Sequence, residues 1–107
     1  MYYKIFVNDQ GDKPILLNVL AKEFQAESIH INTLLFPWGD VYIGRNDEYD
    51  PEKVQKVHGF LYYSYLLDME ITITNYVAIT DTILDYLRQQ GVEAVAACDY
   101  EEKLRKQ

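Results

Sequence analysis

The sequence predicts an α+β domain, a mainly antiparallel sheet with two long helices on one face. Three observations predict it. Several short segments alternate apolar and polar residues, the signature of half-buried strands. Two longer segments place apolar residues at helical spacing. The elements follow one another as strand, helix, strand, strand, minor helix, strand, helix, strand.

"YYKIFVN" alternates Tyr3, Ile5 and Val7 against Tyr2, Lys4 and Phe6 and reads as the first strand. "DQGD" turns the chain, and Pro14 suits the first turn of a helix, with Asp12 or Lys13 before it as cap. Leu16, Leu17, Leu20 and Phe24 carry that helix to about Gln25. "SIHINTLLF" predicts one continuous second strand, with Ile29, Ile31, Thr33 and Leu35 on one side and His30, Asn32, Leu34 and Phe36 on the other. "PWGD" breaks it, and "VYIGR" returns as its hairpin partner. Asp50, Pro51 and Glu52 predict a short capped helix to about Val57, which Gly59 stops.

"FLYYSYLLDMEIT" predicts a long strand over Phe60–Thr72. Tyr63, Tyr65, Leu67, Met69 and Ile71 form its core face; Tyr62, Ser64, Leu66, Asp68, Glu70 and Thr72 form its outer face. From about Asn75, Tyr76, Ile79, Ile83 and Leu87, with Val77, Thr80 and Leu84, make one apolar stripe, and Gly91 is a natural C′ residue. "VEAVAACD" is the last strand and "YEEKLRKQ" a charged tail. Two split strand–helix–strand units of this kind make a ferredoxin-like two-layer sandwich. Its open face would carry Phe6, His30, Asn32, Leu34, Tyr42, Tyr62, Leu66, Asp68 and Glu70, with Glu93 or Val95.

The 107 residues contain no repeat or linker, so residues 1–107 read as a single domain. A hydrophobic fraction of 49% and an aromatic fraction of 14% are those of a packed globular chain. A net charge of −7 repels phosphate backbones, argues against nucleic acid and would steer in a cationic protein partner. The single cysteine, Cys98, excludes an internal disulfide and fits a reducing compartment. No signal peptide or long apolar span is visible, so the chain reads as cytoplasmic and without a membrane partner.

No catalytic or metal motif stands out, and no cofactor is expected. Asp68 and Glu70 lie at i and i+2, roughly 7 Å apart along a strand, which suits acid–base work or simply two solvated acids. His30 and His58 lack metal-ligand spacing. Cys98 is followed by Asp99, Glu101 and Glu102, which disfavour a thiolate, so it reads as an inert thiol. "RNDEYDPE" lacks the glycine and terminal glutamate of a calcium loop. Tyrosine nevertheless recurs among acids, as Tyr49 beside Asp47 and Glu48, and as Tyr100 beside Glu101. Tyrosines give rigid contact area and carboxylates pair with Lys and Arg. Asp47, Glu48, Tyr49, Asp68, Glu70, Tyr100 and Glu101 are therefore the expected partner-binding residues.

At "NDEYDPEK", "FLYYSYLLDMEI" and "LRQQGVEAVAACDYEEKL" the chain resembles small acidic bacterial immunity proteins of polymorphic or contact-dependent toxin systems. The resemblance implies binding rather than catalysis. Such a protein covers the active site of a basic toxin enzyme, here a nuclease by charge. A ferredoxin-like regulatory or small-ligand-binding domain that dimerises through its open sheet face is the alternative. An enzyme using Asp68, Glu70 and His30 is the third.

Overall fold

A computed structural model of the chain describes residues 2–9, 11–56 and 58–98, without the side chains of Lys13 and Cys98. The fold is α+β, a six-strand antiparallel sheet with two helices. In chain order the elements are β1 (Tyr2–Asn8), α1 (Lys13–Glu23), β2 (Ser28–His30), β3 (Thr33–Phe36), β4 (Gly39–Arg45), β5 (Tyr65–Ile71), α2 (Tyr76–Gln89) and β6 (Glu93–Cys98). The sheet order is β2-β3-β4-β5-β1-β6. The first and fifth strands are thus central neighbours, far apart in sequence and joined by apolar pairs such as Ile5 opposite Leu67.

Strand parity decides burial. Tyr3, Ile5 and Val7 of β1, Val41 and Ile43 of β4, and Leu67, Met69 and Ile71 of β5 are buried. They share one hydrophobic cluster with Leu16, Leu17 and Leu20 of α1 and Ile83, Leu84 and Leu87 of α2. The alternate residues Tyr2, Lys4, Asp40, Tyr42 and Glu70 are exposed, and Phe6, Leu66 and Asp68 are half-buried. Burying the first set is the main driving force of the fold.

The helix ends follow their sequence signals. Pro14 lies in the first turn of α1, where its missing N–H costs nothing, and the Asp12 carbonyl accepts from the N–H groups of Ile15 and Leu16. Asp12 caps with its backbone alone; its side chain makes no cap bond. At the other end of the chain, α2 closes through Gly91 at φ 79°. The Gly91 N–H donates to Arg88 O, and the Val92 N–H donates to Leu87 O at 3.0 Å. That is a Schellman ending, which the left-handed glycine permits.

Three local expectations are corrected. The predicted strand over Ser28–Phe36 is two strands, β2 and β3, folded back on each other across Ile31–Asn32, with His30 opposite Thr33. Ile31 takes φ 57°, a left-handed value that a β-branched residue rarely adopts, so nothing local announces the turn. The fold-back reverses the facing of the second half: Leu34, expected outside, is fully buried.

Likewise, Asp50–Val57 forms no helix among its described residues. Lys53 N bonds Asp50 O and Lys56 N bonds Lys53 O, a chain of separate turns. Asp50 Oδ1 accepts from Glu52 N at 3.0 Å, an Asx turn using the residue read as a helix cap. The turns end at Gly59, which is buried so closely against the Val54 carbonyl that a Cβ there would overlap it.

The third correction is that the long strand begins at Tyr65, not Phe60. Gly59–Tyr62 is a 3-10 turn instead. Buried Asn46 imposes this break, its side-chain amide donating to Leu61 O at 3.0 Å and Tyr63 O at 2.7 Å. Ser64, expected on the outer face, is buried and donates from Oγ toward Val7 O and Asp9 O while accepting from Asp9 N. Side-chain hydrogen bonds of this kind offer the backbone an alternative to the strand ladder.

Candidate functional site

The outward side chains of the sheet form rows set by the pairing register. One row reads Thr33, Tyr42, Asp68, Lys4, Ala97 across β3, β4, β5, β1 and β6. The next reads Leu35, Asp40, Glu70, Tyr2 across β3, β4, β5 and β1. Three carboxylates, Asp40, Asp68 and Glu70, thereby share one patch, flanked by Tyr2 and Tyr42. The Tyr42 ring lies over Gly44, where an added Cβ would come within 2.9 Å of Cε1. Glycine at that position leaves the ring room to lie flat on the sheet.

Within the patch, Tyr2 Oη donates to Asp68 Oδ1 at 2.7 Å. That hydrogen bond, reinforced by partial burial and by the charges of Asp68 and Glu70, pushes the Tyr2 hydroxyl up from 10.0 to about 12. Tyr2 is a neutral donor at physiological pH and orients the Asp68 carboxylate. Lys4 stands directly opposite Asp68, yet forms no ion pair with any described residue. The arrangement concentrates negative potential on an aromatic-edged surface, and it offers acceptors to a cationic group.

The expected site residues divide into three groups. Asp68 and Glu70 both stand on the outward side of β5, the first half-buried and the second exposed. Asp47 and Glu48 are exposed in the turn after β4, and Tyr49 beside them is half-buried. That turn is held by Asn46, whose Oδ1 accepts from Glu48 N and whose carbonyl accepts from Tyr49 N. A cleft of about 450 Å³ separates the turn from the patch, lined by Lys4, Phe6, Arg45, Asp47, Glu48, Leu61, Tyr62 and Leu66. Tyr100 and Glu101 lie outside the described residues.

Sequence reading placed Tyr42 on the outer face but passed over Tyr2 and Asp40 as site residues. Their signal is the register, Asp40 opposite Glu70 opposite Tyr2, and no single segment contains it. His30, a candidate acid–base residue with Asp68 and Glu70, is carried to the edge strand β2, with two strands between it and β5. Cys98 ends β6 opposite Tyr3 in the register, and its side chain is outside the description.

A second hydroxyl–carboxylate contact ties β6 to the segment before β5. Tyr63 Oη donates to Glu93 Oε2 at 3.2 Å, and Arg88 donates to Ala94 O at 2.9 Å. Burial first, then the Glu93 charge and hydrogen bond, raises the Tyr63 hydroxyl, while Arg88 opposes the shift.

Among the described residues, no three carboxylate, histidine or cysteine side chains group as a metal ligand set. No helix among them is long and apolar enough to cross a membrane. No protein-family model, curated protein or solved structure matches the chain.

Proposed function

We propose that the protein is an inhibitory binding protein of the immunity type. Its acidic, tyrosine-bearing sheet face covers the active site of a basic enzyme, a nuclease by charge, in the bacterial cytoplasm. The architecture that serves this reading is ferredoxin-like. The order β6-β1-β5-β4, with a helix after β1 and another after β5, supports two interleaved strand–helix–strand units, whose usual right-handed crossovers would set both helices on one face. The β2–β3 hairpin extends the sheet at one edge. The face left open carries the acids.

One observation carries the proposal: Asp40, Asp68 and Glu70 lie on neighbouring strands with Tyr2 and Tyr42 on either side. Carboxylates so placed mimic the spaced charges of a phosphate chain, which a nuclease's basic groove is built to hold. Tyrosines beside them supply contact area at small entropic cost. The net charge of −7 makes encounter with a basic partner fast at low salt. The test is inhibition of the enzyme encoded by the adjacent gene. A stoichiometric loss of its activity on adding this protein supports the proposal, and full activity at excess protein rejects it.

The alternative, a small-ligand-binding domain, draws on the cleft between Lys4, Arg45 and the Asp47–Glu48 turn. A homodimer closing the same sheet face would compete with the protein partner, so a stable dimer in solution would favour that alternative.

A further inference from the structure

The cleft beside the acidic patch has a charge pattern of its own. Its floor is apolar and aromatic: Phe6 of β1, Leu66 of β5, and Leu61 and Tyr62 of the 3-10 turn. Two contacts hold this floor in place. Phe6 packs edge-on against Phe60 with ring centroids 5.4 Å apart, and Lys53 Nζ stands 5.1 Å from the centroid of the Tyr62 ring. Lys4 and Arg45 bring two positive charges to the walls, and Asp47 and Glu48 bring two negative ones.

Opposite charges in one small cleft would ordinarily neutralise each other. Here none of the four forms an ion pair with a described residue, the lysine–aspartate contact at Lys53 and Asp50 lying outside the cleft. Asn46 Oδ1 accepts from Glu48 N and so fixes the turn that carries both carboxylates. The lining thus offers two cations and two carboxylates, not ion-paired with one another, beside apolar and aromatic side chains.

We infer that this cleft binds a small zwitterion with an apolar body, of the class of a free amino acid with a large apolar side chain. The ligand's carboxylate is held by Lys4 and Arg45, its ammonium by Asp47 and Glu48, and its side chain lies over Phe6, Leu66 and Tyr62. A simple anion would meet Asp47 and Glu48 unpaired, and a simple cation would meet Lys4 and Arg45. Only a molecule with both charges satisfies both walls. The volume of about 450 Å³ lies within the range of small-molecule sites. The cleft adjoins the acidic patch, Lys4 standing opposite Asp68, and the inference stands independently of the protein-inhibitor reading.

The test is an amide NMR titration with L-phenylalanine and L-leucine, beside 3-phenylpropionate, which lacks the ammonium, and phenethylamine, which lacks the carboxylate. Saturable shifts are expected for at least one amino acid, centred on Phe6, Arg45–Glu48, Leu61, Tyr62 and Leu66. Each single-charge analogue should bind at least about tenfold more weakly than L-phenylalanine or L-leucine. Lys4→Ala with Arg45→Ala should weaken binding at least about tenfold while the remaining amide spectrum stays that of the folded protein. Asp85→Asn, an exposed position on α2 outside the cleft lining, should change it by less than about twofold. The inference is overturned if neither amino acid gives saturable shifts, if the analogues bind equally well, or if the shifts fall elsewhere.

Discussion

Tyr2 Oη donates a 2.7 Å hydrogen bond to Asp68 Oδ1, joining the outward faces of β1 and β5. The two residues are 66 apart in sequence and stand two positions apart in the register, Tyr2 being opposite Glu70 and Lys4 opposite Asp68. The bond is therefore diagonal, and it draws the phenol over the strand toward the acid. In this way the sheet holds one carboxylate of the patch in a fixed direction before any partner arrives.

Its pH dependence has a definite sign. The Tyr2 hydroxyl is raised from 10.0 to about 12 by Asp68, burial and the neighbouring charges. A group whose pKa is raised on folding contributes stability that is fully present below its unfolded value and is lost as pH rises through the folded one. The stability advantage of wild type over Tyr2→Phe should be constant up to about pH 10 and should shrink between about pH 10 and about pH 12. Urea melts of both proteins across that range check it. Equal pH profiles would mean that Tyr2 titrates as a free phenol.

Leu67 is fully buried at the centre of the sheet, opposite Ile5 and Ile43. Leu67→Ala should destabilise the fold by about 2–5 kcal/mol, whereas Leu66→Ala, on the half-buried outer face, should cost less. Equilibrium unfolding measures both. A reversed order would place the β5 register one residue out.

Asn46 is buried with its amide shared between the carbonyls of Leu61 and Tyr63. Asn46→Ala strands both acceptors and should cost about 1–3 kcal/mol. Hydrogen exchange should also quicken around Glu48 and Tyr49, whose N–H groups bond to Asn46. Unchanged stability would show that water replaces the amide without loss.

Ile31 is 80% exposed and holds φ 57° at the tip of the β2–β3 hairpin. Asparagine tolerates that conformation better and gives up little buried area there. Ile31→Asn should therefore stabilise the protein by about 0.5–1 kcal/mol, read as a rise in melting temperature. A loss of stability would mean that the isoleucine packs against the protein.

These residues also mark what was legible in the sequence. Period-two alternation identified the core sides of β1 and of β5 from Tyr65 onward, because each strand has one buried face and the pattern has no competing explanation. The stripe of α2 and its glycine ending were legible for the same reason. Ile31 was not, since an isoleucine at a left-handed turn contradicts local preference and is held there by the pairing of its neighbours. The early end of the predicted Phe60–Thr72 strand was hidden as well, because its cause is the side chain of Asn46 at the far end of another strand. At the candidate site, parity put Asp68 and Glu70 on the outer face, while Asp40 and Tyr2 joined them only through the register between strands.

The acidic patch as a partner-binding surface is tested most directly by calorimetric titration of the protein against the basic product of its adjacent gene. Wild type and the Asp68→Asn/Glu70→Gln protein should be compared at low and raised salt. The wild-type protein should form a 1:1 complex whose affinity falls as salt rises. The double substitution should leave thermal stability nearly unchanged and weaken the complex at least about tenfold, a loss of about 1.4 kcal/mol or more. No complex, or a complex indifferent to both the substitutions and the salt, would contradict the assignment of this face to a cationic partner.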